Sequence, residues 1–174
     1  MHRILRPDFY VDKYDRLSPD FFMENGIYGL LTDLDDTLVA HNSMQVPQHL
    51  KSWIQSLVYQ NIRVCILSNN GCARVAPFAQ ELGIPYICRA AKPLRYGVCR
   101  AGNVLGVPLS ECAVMGDQLF TDIAAAKHAK VRSVLVDPVS ADAPRFVRWK
   151  RKQEALIRGK FEKNAGCGKN GFTH

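Results

Sequence analysis

Short apolar runs alternate along the chain with stretches in which apolar residues recur every three or four positions. The run 28–34 (YGLLTDL) reads as a buried strand. Over 47–60, Leu50, Trp53, Ile54, Leu57 and Val58 keep helical spacing, and Pro47 suits a first turn. A second strand is predicted over 63–68 (RVCILS), then a helix over 72–82 closed by Gly83. A short strand follows at 85–88 and a helix at 95–105, again stopped by a glycine, Gly106. The last predicted elements are a strand at 112–116, a helix at 120–129, a strand at 132–136 and a helix at 144–163.

Near-continuous apolar strands separated by helices imply a parallel sheet with helices on both faces. The expected fold is therefore α/β: a Rossmann-like three-layer α/β/α domain with a mainly parallel five-stranded sheet. Residues 27–163 form this single domain. Residues 1–26 read as an N-terminal extension packed on it, with no element assigned, and 164–174 as a flexible tail.

Charge changes the picture at one end only. The net charge is +7. Residues 1–144 carry 14 Lys/Arg and 14 Asp/Glu, whereas 145–174 carry nine Lys/Arg against Glu154 and Glu162. Such asymmetry fits a polyanionic partner or an anionic membrane surface, and equally a solvated last helix. The six cysteines form no C-x-x-C pair, and none has a histidine at metal spacing. Cys65 and Cys112 lie in strand-like runs, as small buried hydrophobes do. This usage fits a reducing cytosol better than a disulfide scaffold. The start MHRILRPDFYVDKYD has no apolar core of a signal peptide. No run approaches the roughly 20 apolar residues that span a bilayer. The expected location is cytoplasmic, with peripheral attachment at the inner membrane face left open.

In a sheet of this kind ligands bind beyond the carboxyl ends of the strands. The strand ends carry Asp33-Leu34-Asp35-Asp36-Thr37, Ser68-Asn69-Asn70-Gly71, Lys92-Pro93 and Gly116-Asp117, with Asp122 five residues on. Each alone is an ordinary cap or turn; together they bring carboxylates, a hydroxyl, an amide turn and a lysine to one rim. Asp33 and Asp35 are two apart, so on an extended segment they point the same way. Crowded carboxylates repel unless a cation neutralises them, and a third at Asp117 suggests an all-oxygen Mg²⁺ site. Lys92 and backbone N–H groups near Ser68 suit phosphoryl oxygens. A carboxylate can act as nucleophile, and a neighbouring carboxyl can protonate the leaving oxygen.

The ordered set DLDDT, LSNN, KP and GDQLFTD resembles the four motifs of the haloacid dehalogenase superfamily. The resemblance implies a Mg²⁺-dependent phosphatase. It makes Asp33 the nucleophile and a metal ligand. Asp35 becomes general acid/base, its main-chain carbonyl also binding metal. It places Thr37 in support of the loop and Ser68 and Asn69 at the phosphate. Lys92 neutralises the phosphoryl group, Asp117 binds metal, and Asp122 supports the metal site or Lys92. Asp36 is expected to face away. An acid at Asp35 favours phosphate over halide chemistry, because a halide leaves without a proton.

The family often inserts a cap domain that closes on small substrates. Here 39–46 and 71–91 leave no room for one. The stretches DLDDTLVAHN, LSNNGCARVAPFAQELGIPYICRAAKP and GDQLFTDI, with the basic C-terminus, resemble the capless YqeG-type subfamily. Its wider group includes phosphatidylglycerophosphate phosphatases, which implies a lipid headgroup phosphate as substrate. In the last predicted helix Phe146, Trp149, Leu156, Ile157 and Phe161 share one arc, and Arg145, Arg148, Arg151, Lys152 and Arg158 lie mostly outside it. This arc can lie on an anionic membrane or pack on the sheet. The other readings are a phosphatase of a soluble metabolite, nucleotide or phosphoprotein, and a non-catalytic module whose basic tail binds RNA, ribosome or an acidic partner.

Overall fold

The computed structural model describes residues 5–140 and, farther on, Glu154, Ala155, Ile157, Arg158, Gly159 and Phe161. Most of the predicted helix 144–163, and all of the predicted tail 164–174, lie outside the described residues.

The strands are β1 (Phe9–Val11), β2 (Gly29–Thr32), β3 (Arg63–Leu67), β4 (Tyr86–Ile87), β5 (Cys112–Gly116) and β6 (Arg132–Val136). The helices are α1 (Pro19–Glu24), α2 (Gln48–Tyr59), α3 (Cys72–Leu82), α4 (Arg95–Leu105) and α5 (Ala124–Ala129). All pairings are parallel, in the order β1-β6-β5-β2-β3-β4. The order reverses at β2, so the crevice beyond its end is where such sheets bind ligands.

Strand alternation sorts the apolar side chains into two cores. Leu30, Val64, Ile66, Ala113 and Met115 face Phe22, Leu50, Trp53, Ile54, Leu57, Val75 and Phe78 of α1, α2 and α3. Leu31, Cys65, Leu67, Cys112 and Val114 face Val98, Ala101, Leu105, Ala125 and Ala126 of α4 and α5. This is the three-layer α/β/α arrangement. Residues 71–91 hold only α3 and β4, and the segment from β2 to α2 holds only a bridge, Asp35 to Val39. Among the described residues there is no cap domain.

The sheet has six strands, not five. The extra one, β1, comes from the segment left unassigned, pairing Phe9 with Val134 and Val11 with Val136. Only three residues long and flanked by Asp8 and Asp12, it carries too little periodicity to announce itself. Tertiary contacts define it instead. Asp8 Oδ2 accepts from the Ser133 amide (2.8 Å) and hydroxyl (2.7 Å), and Lys127 Nζ lies 2.6 Å from Oδ1.

The cysteine expectation is also corrected. Cys72 and Cys88 form a disulfide, with Cα atoms 5.1 Å apart. Their separation of 16 residues matches no short motif; packing of α3 beside β4 brings them together. Cys65, Cys99 and Cys112 are free thiols.

The C-terminal residues that are described pack inward. Ile157 and Phe161 rest against Tyr10, Leu119, Ile123 and Leu135. Glu154 is buried and accepts the Phe120 amide at 2.9 Å. Arg158 donates to the carbonyls of Asp117 (2.6 Å) and Val136 (2.9 Å). These two apolar residues of the arc therefore lie against the domain. Among the described residues no helix is long and apolar enough to cross a membrane.

Candidate active site

Parallel β2, β3 and β5 end within one residue of the same level, so Asp33, Ser68 and Asp117 emerge on one rim, each one residue past its strand. Lys92 arrives from the loop after β4. Asp122 arrives by a device that periodicity missed. The predicted helix 120–129 begins as a wide π-turn, Leu119–Ile123, before α5. That turn buries Asp122 completely and lets its Oδ2 accept the Gln118 amide at 3.0 Å. Gly116 makes room for it, since a Cβ there would collide with the Asp122 carboxyl.

Lys92 Nζ sits 2.6 Å from Asp122 Oδ1 and 2.9 Å from Asp33 Oδ1. Carboxylate oxygens of Asp33, Asp117 and Asp122 lie within 4.8 Å of one another. Among the described residues one ammonium pairs with two of three mutually close, buried carboxylates. Burial alone pushes the Lys92 ammonium down, and Asp122 and then Asp33 outweigh it, so its pKa is raised. Burial pushes Asp33 up to about 6; Lys92 opposes this and Asp122 adds to it. Crowded carboxylates repel, so a divalent cation on hard oxygen ligands would stabilise the cluster, and the donor set fits one.

Asp122 joins Asp33 and Asp117, whereas the Asp35 carboxylate turns elsewhere. Its Oδ1 accepts from Arg74 Nε (3.0 Å) and Nη2 (2.6 Å), and its Oδ2 from Asn70 Nδ2 (2.6 Å). The resemblance assigns the metal contact of Asp35 to its carbonyl, and both oxygens of its carboxylate are hydrogen-bonded within the protein. Asn69, expected at the phosphate, has both amide atoms on Lys92: Oδ1 accepts the Lys92 amide (2.7 Å) and Nδ2 donates to its carbonyl (2.9 Å). Asn69 thus braces the segment that carries the lysine. Ser68 is buried, its Oγ accepting the Asn70 amide at 3.2 Å. Thr37 is buried, and its Oγ1 has no hydrogen-bond partner among the described residues. Asp36 takes a left-handed backbone (φ 60°) and accepts the His41 amide at 3.3 Å, so it serves the loop.

Arg74 is the residue that sequence reasoning missed. It stands in the first turn of α3, where an arginine ordinarily reads as a solvated helix position. Its contacts with Asp35 span 39 residues. No local pattern predicts them, though its place six residues after Ser68 on a rim-facing helix start was a usable hint.

Known proteins match this chain along most of its length. The haloacid dehalogenase-like hydrolase model matches residues 30–91, and a HAD-hydrolase-like model matches 89–155. The probable phosphatase YqeG of Bacillus subtilis is 32% identical over 157 residues, covering 90% of this chain and 91% of that protein. The chain belongs to the YqeG-type phosphatases of the haloacid dehalogenase superfamily. Solved structures repeat the fold. The cobalt-bound deoxy-D-mannose-octulosonate 8-phosphate phosphatase of Haemophilus influenzae is 18% identical, with a TM-score of 0.53 over 77% of this chain and 88% of that one. An uncharacterized Listeria monocytogenes protein is 12% identical, with a TM-score of 0.52 over 76% and 99%.

In this YqeG-type phosphatase, metal should act on stability in a pH-dependent way. The folded pKa of Asp33, about 6, lies above the ~3.9 of an unfolded aspartate. Its contribution is therefore full below the unfolded value and lost as pH rises through about 6. The metal-free cluster is most strained near neutrality. A divalent ion at about a hundred times its Kd adds about 2.7 kcal/mol. That is roughly 5–10 °C in Tm for a chain this long. Thermal melts with and without Mg²⁺ should show this gain near neutral pH and a smaller one at about pH 5. A gain that does not shrink in acid would place the ion elsewhere.

Proposed function

We propose that the protein is a Mg²⁺-dependent phosphomonoester hydrolase working through an aspartyl-phosphate on Asp33, and that its natural substrate is phosphatidylglycerophosphate. The observation that carries the mechanism is the buried set of Asp33, Lys92, Asp117 and Asp122. An Asp33 carboxylate oxygen attacks phosphorus as the bond to the alcohol oxygen breaks. Asp35 gives that oxygen its proton, so the alcohol leaves neutral. Water then attacks the phosphorus of the acyl phosphate while Asp35 takes its proton, which releases inorganic phosphate and restores Asp33. Lys92 stays paired with the phosphoryl charge throughout. A Mg²⁺ ion held by Asp33, Asp117 and the Asp35 carbonyl would screen the phosphoryl oxygens from the attacking carboxylate.

Two features support a lipid substrate. Without a cap, the rim is open to a headgroup that stays in its membrane. Met44 and Leu94 are strongly exposed at that rim. Met44 lies 3.8 Å from Arg74, and Leu94 is two residues beyond Lys92. Apolar side chains flanking an anion site suit a membrane surface. Against this, Ile157 and Phe161 are already packed on the domain, which favours the alternative of a soluble phosphomonoester.

The test is Mg²⁺-dependent phosphate release from phosphatidylglycerophosphate in mixed micelles and from a panel of soluble phosphomonoesters. Lipid turnover well above every soluble ester is expected. Turnover of soluble esters alone would keep the mechanism and discard the lipid.

A further inference from the structure

Arg74 is the second cation of the site, and it differs from the first. Lys92 is sealed in, its side chain 3% exposed, whereas the Arg74 side chain is 19% exposed. Its guanidinium lies over the Phe78 ring, 4.6 Å from the centroid. Nη1 donates to the Ser43 carbonyl, and Nη2 lies 3.5 Å from the Ala40 carbonyl. Nη1 also lies 3.8 Å from Met44 Sδ, and Nε and Nη2 both donate to Asp35 Oδ1. The planar fork is thus held by a ring and two loop carbonyls, with its Nε/Nη2 edge on the carboxylate, and the side chain stays partly exposed.

Position gives this cation a meaning. On the reading above, Lys92 and Asp33 mark the phosphoryl group in transit, and Asp35 marks the oxygen that leaves. A guanidinium bound to Asp35 therefore lies on the leaving-group side. In the resting protein both Asp35 oxygens are engaged, one by Arg74 and the other by Asn70. To meet a leaving oxygen, the carboxyl has to give up a partner. A phosphodiester or carboxylate on the leaving alcohol offers the guanidinium an equivalent bidentate acceptor.

We propose that Arg74 is the receptor for a second anionic group on the leaving portion of the substrate. That anion takes the guanidinium from Asp35 and frees the carboxyl for the leaving oxygen. The preferred substrates are phosphomonoesters of alcohols that carry a phosphodiester or carboxylate a few bonds from the ester oxygen. The proposal rests on the roles given to Asp33 and Asp35.

The experiment compares kcat/KM of the Mg²⁺-loaded protein for four probes. Glycerol 3-phosphate leaves a neutral alcohol. 3-Phosphoglycerate leaves one with a carboxylate, and glycerophosphoglycerophosphate one with a phosphodiester but no acyl chains. Phosphatidylglycerophosphate in micelles adds the chains. Native protein should prefer the soluble esters with anionic leaving groups over glycerol 3-phosphate by about tenfold or more, mainly through KM. In Arg74→Gln that ratio falls to near one, and Arg74→Lys retains part of it; the ratio is the readout, whichever way each rate moves. Thermal melts confirm that both variants fold.

Three results overturn the proposal. The native protein shows no preference, or Arg74→Gln slows all probes equally, as a merely structural arginine would. The third is that only the lipid is preferred, which puts selectivity in the acyl chains. No hydrolysis of any probe would instead remove the phosphatase reading beneath it.

Discussion

The Asp33→Asn variant releases no phosphate from any ester, yet melts close to the native protein. Both halves follow from the site. An amide oxygen is a poor nucleophile and cannot give an acyl phosphate, so the loss should be at least about 10⁴-fold, the scale for removing a nucleophile. The stability half is less obvious, because the change also deletes a 2.9 Å ion pair with Lys92. Lys92 keeps its shorter contact with Asp122, however, at 2.6 Å. Asp33 is also the carboxylate that burial pushes up to about 6, so its charge opposes folding at neutral pH. Removing the charge while keeping the shape should leave metal-free stability within about 1 kcal/mol of native. Phosphate release and thermal melting on one preparation check both. Residual turnover above a few hundredths of native would mean that Asp33 is not the nucleophile; a collapsed melt would mean that it is structural.

Most of this site was legible because its parts are local. Helices 72–82 and 95–105 and strands 112–116 and 132–136 sit where periodicity and glycine stops put them. The motif carboxylates, Ser68 and Lys92 follow from the strand ends. What was not legible depends on partners distant in sequence. β1 is a strand because Asp8 is caught by Ser133 and Lys127, more than a hundred residues away. The disulfide exists because α3 packs beside β4. The π-turn that buries Asp122 follows from the Gly116–Asp122 contact rather than from helix propensity. Asp33 and Asp35 are two residues apart, but Arg74 and Asn70 hold the second carboxylate while Lys92 holds the first. Charge pattern alone could not announce that competition, because Arg74 reads as one more surface arginine.

Lys92→Met should damage the fold as well as the chemistry, and that separates it from every other site change. Methionine matches the lysine stem in length and leaves little cavity, so the loss is electrostatic. The ammonium is nearly inaccessible and compensates Asp122 and Asp33 together. Without it two buried carboxylates face each other beside Asp117, and breaking a buried pair in this way costs about 3–5 kcal/mol. The sign with pH is fixed. Losing the cation raises the Asp33 pKa above its present value of about 6. The folded state then favours protons more strongly than the unfolded chain does. The destabilisation is greatest near neutrality and shrinks as the pH falls below the folded pKa. Turnover should fall by about 10²–10³-fold or more even where the variant is folded, since no other buried cation faces the phosphoryl group among the described residues. Adding Asp122→Asn to Lys92→Met removes one stranded charge. The double variant should regain part of the lost stability and none of the activity, a non-additivity that a thermodynamic cycle reads directly. If Lys92→Met melts like the native protein at neutral pH, the lysine is not what holds these carboxylates together. The cation requirement argued for the cluster would then lose its basis.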